Sequence, residues 1–236
     1  MPPTFWTLIL TARDFGSPDA QAALGKLCET YWYPLYAFVR RHGKNHHEAQ
    51  DLIQGFFEHL FQREWLNNVD KGKGRFRSFL LSSLVNFLHN EREKISTIKR
   101  GGAEKFVSWD AEEAESRQKA EPALTADPQL EYERLWALVL VEKALSALES
   151  EYSRCGKAEL FRVLVPYMTR PIPPRYYAEA GERLGMNEGA MRTAMHRFLP
   201  RFGEKLRAQV ADTIADQADV ESELREVLRH WAEGKE

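Results

Sequence analysis

Apolar residues recur every three or four positions along most of the chain, the spacing that lines one face of a helix. Between 19 and 42 they fall at Ala23, Leu27, Tyr31, Leu35 and Phe38. Pro34 lies inside that segment, and its missing N–H predicts a kink or a break. HHEAQDLIQGFFEHLFQ repeats the pattern with Leu52, Phe56 and Leu60, flanked by Ile53 and Phe57. FRSFLLSSLVNFLHNEREK follows a glycine-punctuated KGKGR and predicts a third helix burying Phe76, Phe79, Leu80, Leu84 and Phe87. Nothing alternates as a half-buried strand would. Over 101–131 the periodicity lapses, and Gly101, Gly102, Pro122, Pro128 and several acids predict a linker. It resumes at 132–149 and 156–168, breaks at RPIPP, and returns from Arg175. The expectation is an all-α protein of two small helical domains, 1–100 and 132–207, joined by an acidic linker at 101–131. An acidic, amphipathic helical extension follows at 208–236, its stripe formed by Val210, Ile214, Leu224, Leu228 and Trp231.

Composition changes this picture little. With 236 residues, 43% hydrophobic and 29% charged, the chain is long enough for one large or two small cores and is neither collagen-like nor disordered throughout. The longest apolar runs, such as WALVLV at 136–141, fall far short of the ~20 residues of a bilayer span. No export signal is read at the start, so a cytoplasmic protein with no membrane insertion is expected. Cys28 and Cys155 stand far apart without a CxxC pair, which predicts two reduced, buried thiols.

Charge is more telling when divided by segment. Residues 1–100 hold 14 Lys/Arg against 10 Asp/Glu, and 171–207 hold 7 against 4; the linker through 135 holds 4 against 9, and 208–236 hold 3 against 8. Two basic modules separated by acidic stretches suggest two surfaces that face a polyanion.

The second module has the order of a helix-turn-helix. In RYYAEAGERLGMNEGAMRTAMHRFLPRF, Ala178, Ala180 and Leu184 supply the packing face of a short helix, Gly185 permits a sharp turn, and Asn187 can cap the next helix. That helix is basic: Arg192, Thr193, His196, Arg197 and Arg201 project from it while Met191, Met195 and Phe198 pack inward. Short donors near the helix start suit base edges in a major groove, and the later arginines suit phosphates. In the first module, VDKGKGRFRSF sets Lys71, Lys73, Arg75 and Arg77 beside Phe76 and Phe79. Cations along a backbone with nearby aromatics suit single-stranded DNA, although both phenylalanines also fit a core. The glycines lack P-loop spacing. His47 and Asp51 have the spacing of two metal ligands on one helical face, but the sequence nominates no third. No nucleophile–base set is evident, so neither an enzyme nor a cofactor is expected.

In this order, an EAQDLIQGFF helix, a KGRFRSFLLSSLVNFLHNE helix, an acidic linker and an LGMNEGAMRTAMHRF helix-turn-helix resemble the extracytoplasmic-function RNA polymerase sigma factors over most of 20–207. The resemblance implies sigma region 2 in the first domain and region 4 in the second. It implies docking on the polymerase beta-prime clamp helices through Asp51, Leu52 and Gln54, and on the beta flap. It further implies opening of the minus-ten element and capture of its nontemplate strand by the 70–77 loop (Lys71, Lys73, Arg75, Arg77) with Asn86, Asn90 and Arg92. Reading of the duplex minus-thirty-five element would fall to Asn187, Arg192, Thr193, His196, Arg197 and Arg201. Anti-sigma or other regulatory proteins come into view as further partners. The chain departs from the family pattern at Gln50, Gly55, Asn90 and Ala194, and Pro200 predicts that the recognition helix bends or ends near it. A different reading, a stand-alone helix-turn-helix regulator dimerising through its C-terminal helix, accounts for 175–207 alone.

Overall fold

In a computed structural model of the protein the described residues are 18–60, 75–97, 127–214 and 217–233, and among them every regular element is helical. Eight α-helices follow in order: α1 (Pro18–Arg41), α2 (His46–Leu60), α3 (Phe76–Thr97), α4 (Pro128–Arg154), α5 (Ala158–Leu164), α6 (Tyr176–Leu184), α7 (Glu188–Thr213) and α8 (Val220–Glu233). None of them is long and apolar enough to cross a membrane. The chain divides into two compact units, Met1–Trp136 with Asp212–Gln217, and Ala137–Ala211 with Ala218–Glu236. This division falls inside α4 rather than at 131/132, and it groups 218–236 with the second unit. The expected linker at 101–131 lies outside the described residues up to 126. Its last four residues are already helix, because Asp127 accepts the Gln129 N–H (2.9 Å) and Pro128 occupies the first helical position.

In the first unit the stripe of α1 is buried as its spacing predicts: Leu27, Tyr31 and Leu35 are fully buried and Phe38 nearly so. Ile53 and Phe56 of α2 and Leu80 and Leu84 of α3 are fully buried as well. Edge-on rings lock the layers, Tyr31 against Phe76 at 5.5 Å and Phe56 against Phe87 at 5.8 Å. Of the two outcomes expected at Pro34, a kink or a break, the break does not occur: α1 continues through it. Tyr31, Leu35, Tyr36 and Val39 around it are fully buried, and that packing outweighs the ~3 kcal/mol a mid-helix proline costs. A reversal at Gly43 (φ 80°) leads into α2. There Asn45 and Glu48 form a reciprocal capping box, with Glu48 N–H donating to Asn45 Oδ1 (2.9 Å) and Asn45 N–H to Glu48 Oε2 (3.0 Å). That bond is the main reason the Glu48 carboxyl is held below the usual carboxylate range.

In the second unit Tyr152, Phe161 and Phe198 form a mutual ring cluster with centroids 5.6–5.9 Å apart. α7 does not end at Pro200 but continues to Thr213. Phe198, Phe202, Leu206 and Val210 continue to bury one face of it, while Pro200 itself is exposed. α8 lays Trp231 on Phe202 (5.7 Å) and pairs Glu221 with Arg207. Its stripe differs from the expected one: Val220, Val227 and His230 are buried, whereas Leu228 is 40% exposed.

Candidate nucleic-acid interface

The turn between α6 and α7 is built from three local devices. Gly185 takes a left-handed conformation (φ 64°) that closes α6. Met186 N–H then donates to the Gly181 carbonyl at 2.8 Å. Asn187 Oδ1 accepts the Ala190 N–H at 2.8 Å and so caps α7 as expected. Gly181 is a determinant that the reading of the sequence missed. A Cβ there would come within 2.4 Å of the Met186 carbonyl oxygen, so only glycine lets the turn fold back this closely. Its signal lay in GERLG, two glycines four positions apart where one would end a helix.

α7 divides its side chains as its spacing predicts. Met191, Met195 and Phe198 are buried, and Arg192, Thr193, His196, Arg197 and Arg201 are exposed. The exposed set is partly neutralised from within. Arg192 pairs with Glu188 at 2.6 Å and lies over the Tyr177 ring at 4.8 Å. Thr193 donates its hydroxyl to the Gly189 carbonyl (2.9 Å). Glu151 of α4 takes both Arg201 (3.5 Å) and Lys205 (2.8 Å), and the Lys205 hydrogen bond holds its carboxyl below the usual range. Arg197 has no ion pair among the described residues. Beside this face runs an open groove of about 790 Å³ whose lining includes Tyr152, Leu160, Ala190, Thr193, Arg197 and Arg201. Cys155 also borders it and is exposed, which corrects the expectation of a buried thiol. Cys28 is partly buried, and desolvation, with Glu29 nearby, pushes its thiol pKa up to about 12.

In the first unit α2 buries Ile53, Phe56, Phe57 and Leu60, which turns Asp51 outward. Leu52 and Gln54 sit at the margin, half-buried, and Gln54 donates to Glu58 Oε1 at 3.2 Å. Asn86, Asn90 and Arg92 are exposed on α3. Val85 is also exposed, and with Asn86 it borders a 440 Å³ groove lined by Phe38, His42 and Asp127–Gln129. Arg75 is exposed, and Lys71 and Lys73 lie outside the described residues.

Arg77 requires a correction. It is 2% exposed, its guanidinium carbon 4.5 Å from the centre of the Trp136 ring, and its carbonyl accepts the Tyr132 hydroxyl at 3.1 Å. A side chain so placed holds the core and cannot also reach a phosphate. Burial lowers its pKa from the ordinary guanidinium value, with Glu133 opposing the change. Phe76 is likewise buried and Phe79 half-buried, so the packing reading of these rings holds. His47 and Asp51 are both exposed, and among the described residues no three metal-ligating side chains converge. Compared with family models, curated proteins and solved structures, the chain matches none.

Proposed function

We propose that the protein is an alternative sigma factor of the extracytoplasmic-function type, which binds core RNA polymerase in the bacterial cytoplasm, directs it to a class of promoters and helps open their minus-ten region. It performs no catalysis; the polymerase supplies the chemistry. The observation that carries the reading is the row of Arg192, Thr193, His196, Arg197 and Arg201, exposed on one helix directly after a turn fixed by Gly181, Gly185 and Asn187. Such a turn holds the helix clear of its neighbour and lets its start enter a major groove. Exposed Asp51 on α2 and Asn86, Asn90 and Arg92 on α3 provide separate polar faces for polymerase and for unpaired bases, which a simple regulator would not need. A stand-alone dimeric regulator would also need an unoccupied C-terminal stripe, and Val220 and Val227 are buried while Trp231 packs on Phe202.

Because each surface is small, affinity should come when polymerase presents both DNA elements together. The protein by itself then binds DNA weakly and salt-sensitively. Transcription reconstituted from core polymerase, a promoter library and the purified protein tests the proposal. Transcripts that start at a discrete set of sites only when the protein is added are expected. Tight sequence-specific duplex binding by the protein alone, with no such transcripts, would overturn it.

A further inference from the structure

Resting on that reading, we propose that Glu151 is an internal stand-in for a DNA phosphate, occupying Arg201 and Lys205 of α7 until a duplex displaces it. One carboxylate from α4 meets two cations one helical turn apart: Oε1 lies 3.5 Å from Arg201 Nη1, and Oε2 lies 2.8 Å from Lys205 Nζ. Two cations converging on one anion is the arrangement that receives a backbone phosphate. A carboxylate and a phosphodiester each carry one negative charge, so a phosphate can take over both cations while the Glu151 carboxylate, which is partly exposed, turns to solvent. Access is not an obstacle, since the side chains of Arg201, Lys205 and Glu151 are 53%, 35% and 28% exposed. Glu188 treats Arg192 in the same way near the start of α7. The cationic face is therefore partly neutralised at both ends, and Arg197 between them is left for a first contact. Such self-competition lowers non-specific affinity and makes productive binding depend on polymerase holding the domain at its site.

The test is fluorescence anisotropy of the full chain with a short labelled duplex of arbitrary sequence across a salt series. It compares wild type, Glu151→Gln, Glu159→Gln and Arg197→Ala. Glu159 borders the same groove but pairs with Arg162, so its variant makes the same charge change without releasing an α7 cation. Glu151→Gln should bind about threefold or more tightly at moderate salt, with a log–log salt slope close to that of wild type, because the same phosphates are contacted once Glu151 is displaced. Glu159→Gln should stay near wild type. Equal effects of the two variants, or weaker binding by Glu151→Gln, would overturn the competition. Should Glu151→Gln lose its thermal melt, Lys205→Met serves instead. Its loss of affinity should be smaller than that of Arg197→Ala, and an equal loss contradicts the proposal. If wild type binds and Arg197→Ala binds equally well, the DNA-facing role of α7 falls; if no form binds even at low salt, both ideas fall.

Discussion

Arg77 shows how one residue's role can be hidden in its neighbours. Beside Lys71, Lys73 and Arg75 it looks like one more phosphate ligand, yet its partners Tyr132 and Trp136 lie on another helix, Tyr132 being 55 positions away. No local spacing carries that information. Arg77→Ala should therefore lower stability by about 2–4 kcal/mol through lost packing, measured by thermal or denaturant melting. Arg92→Ala, on the exposed side of α3, should change it by less than about 0.5 kcal/mol. The capping carboxylate of Glu48 makes a prediction about acid. Its folded pKa is depressed, so its contribution is present above its unfolded pKa and is lost as pH falls through the lower folded one. A stability–pH curve should therefore fall less steeply on the acid side for Glu48→Gln than for wild type.

Among the elements, helices were legible wherever an apolar stripe faced a core, as the buried stripes of α1, α2 and α7 show. The reading failed where local rules were outvoted by packing. Pro34 and Pro200 both suggested interruptions, but the burial of Tyr31 and Leu35 around one, and of Phe198 and Phe202 around the other, keeps the helices whole. The stripe of α8 slipped because Leu228 has the right chemistry on the wrong side of the helix. The turn before α7 was read through Gly185 and Asn187 but not through Gly181, whose constraint comes from a carbonyl five residues on. Gly181→Ala should cost about 1–3 kcal/mol because the contact is backbone and yields little. Asn187→Ala should cost about 1 kcal/mol by removing the cap. Melting of both variants checks these values, and a neutral Gly181→Ala would show that the turn is looser than its geometry.

For the whole molecule, segmental charge foreshadowed basic surfaces at 1–100 and 171–207. It did not foreshadow that α4 would contribute to both units, since continuous helical periodicity hides a boundary inside a helix. It also did not show that much of the α7 charge is balanced internally by Glu151 and Glu188. On the proposed reading, function at this scale rests on a face that the core leaves outward, Asp51 with Gln54 at its margin, and on the exposed side of α7. In the proposed function this face binds polymerase. Co-purification with bacterial core RNA polymerase in moderate salt, comparing wild type with an Asp51→Ala, Gln54→Ala double variant of equal thermal stability, tests it directly. Wild type should be retained and the variant lost; failure of a folded wild-type protein to bind, or equal retention of both, would show that this face does not dock on polymerase.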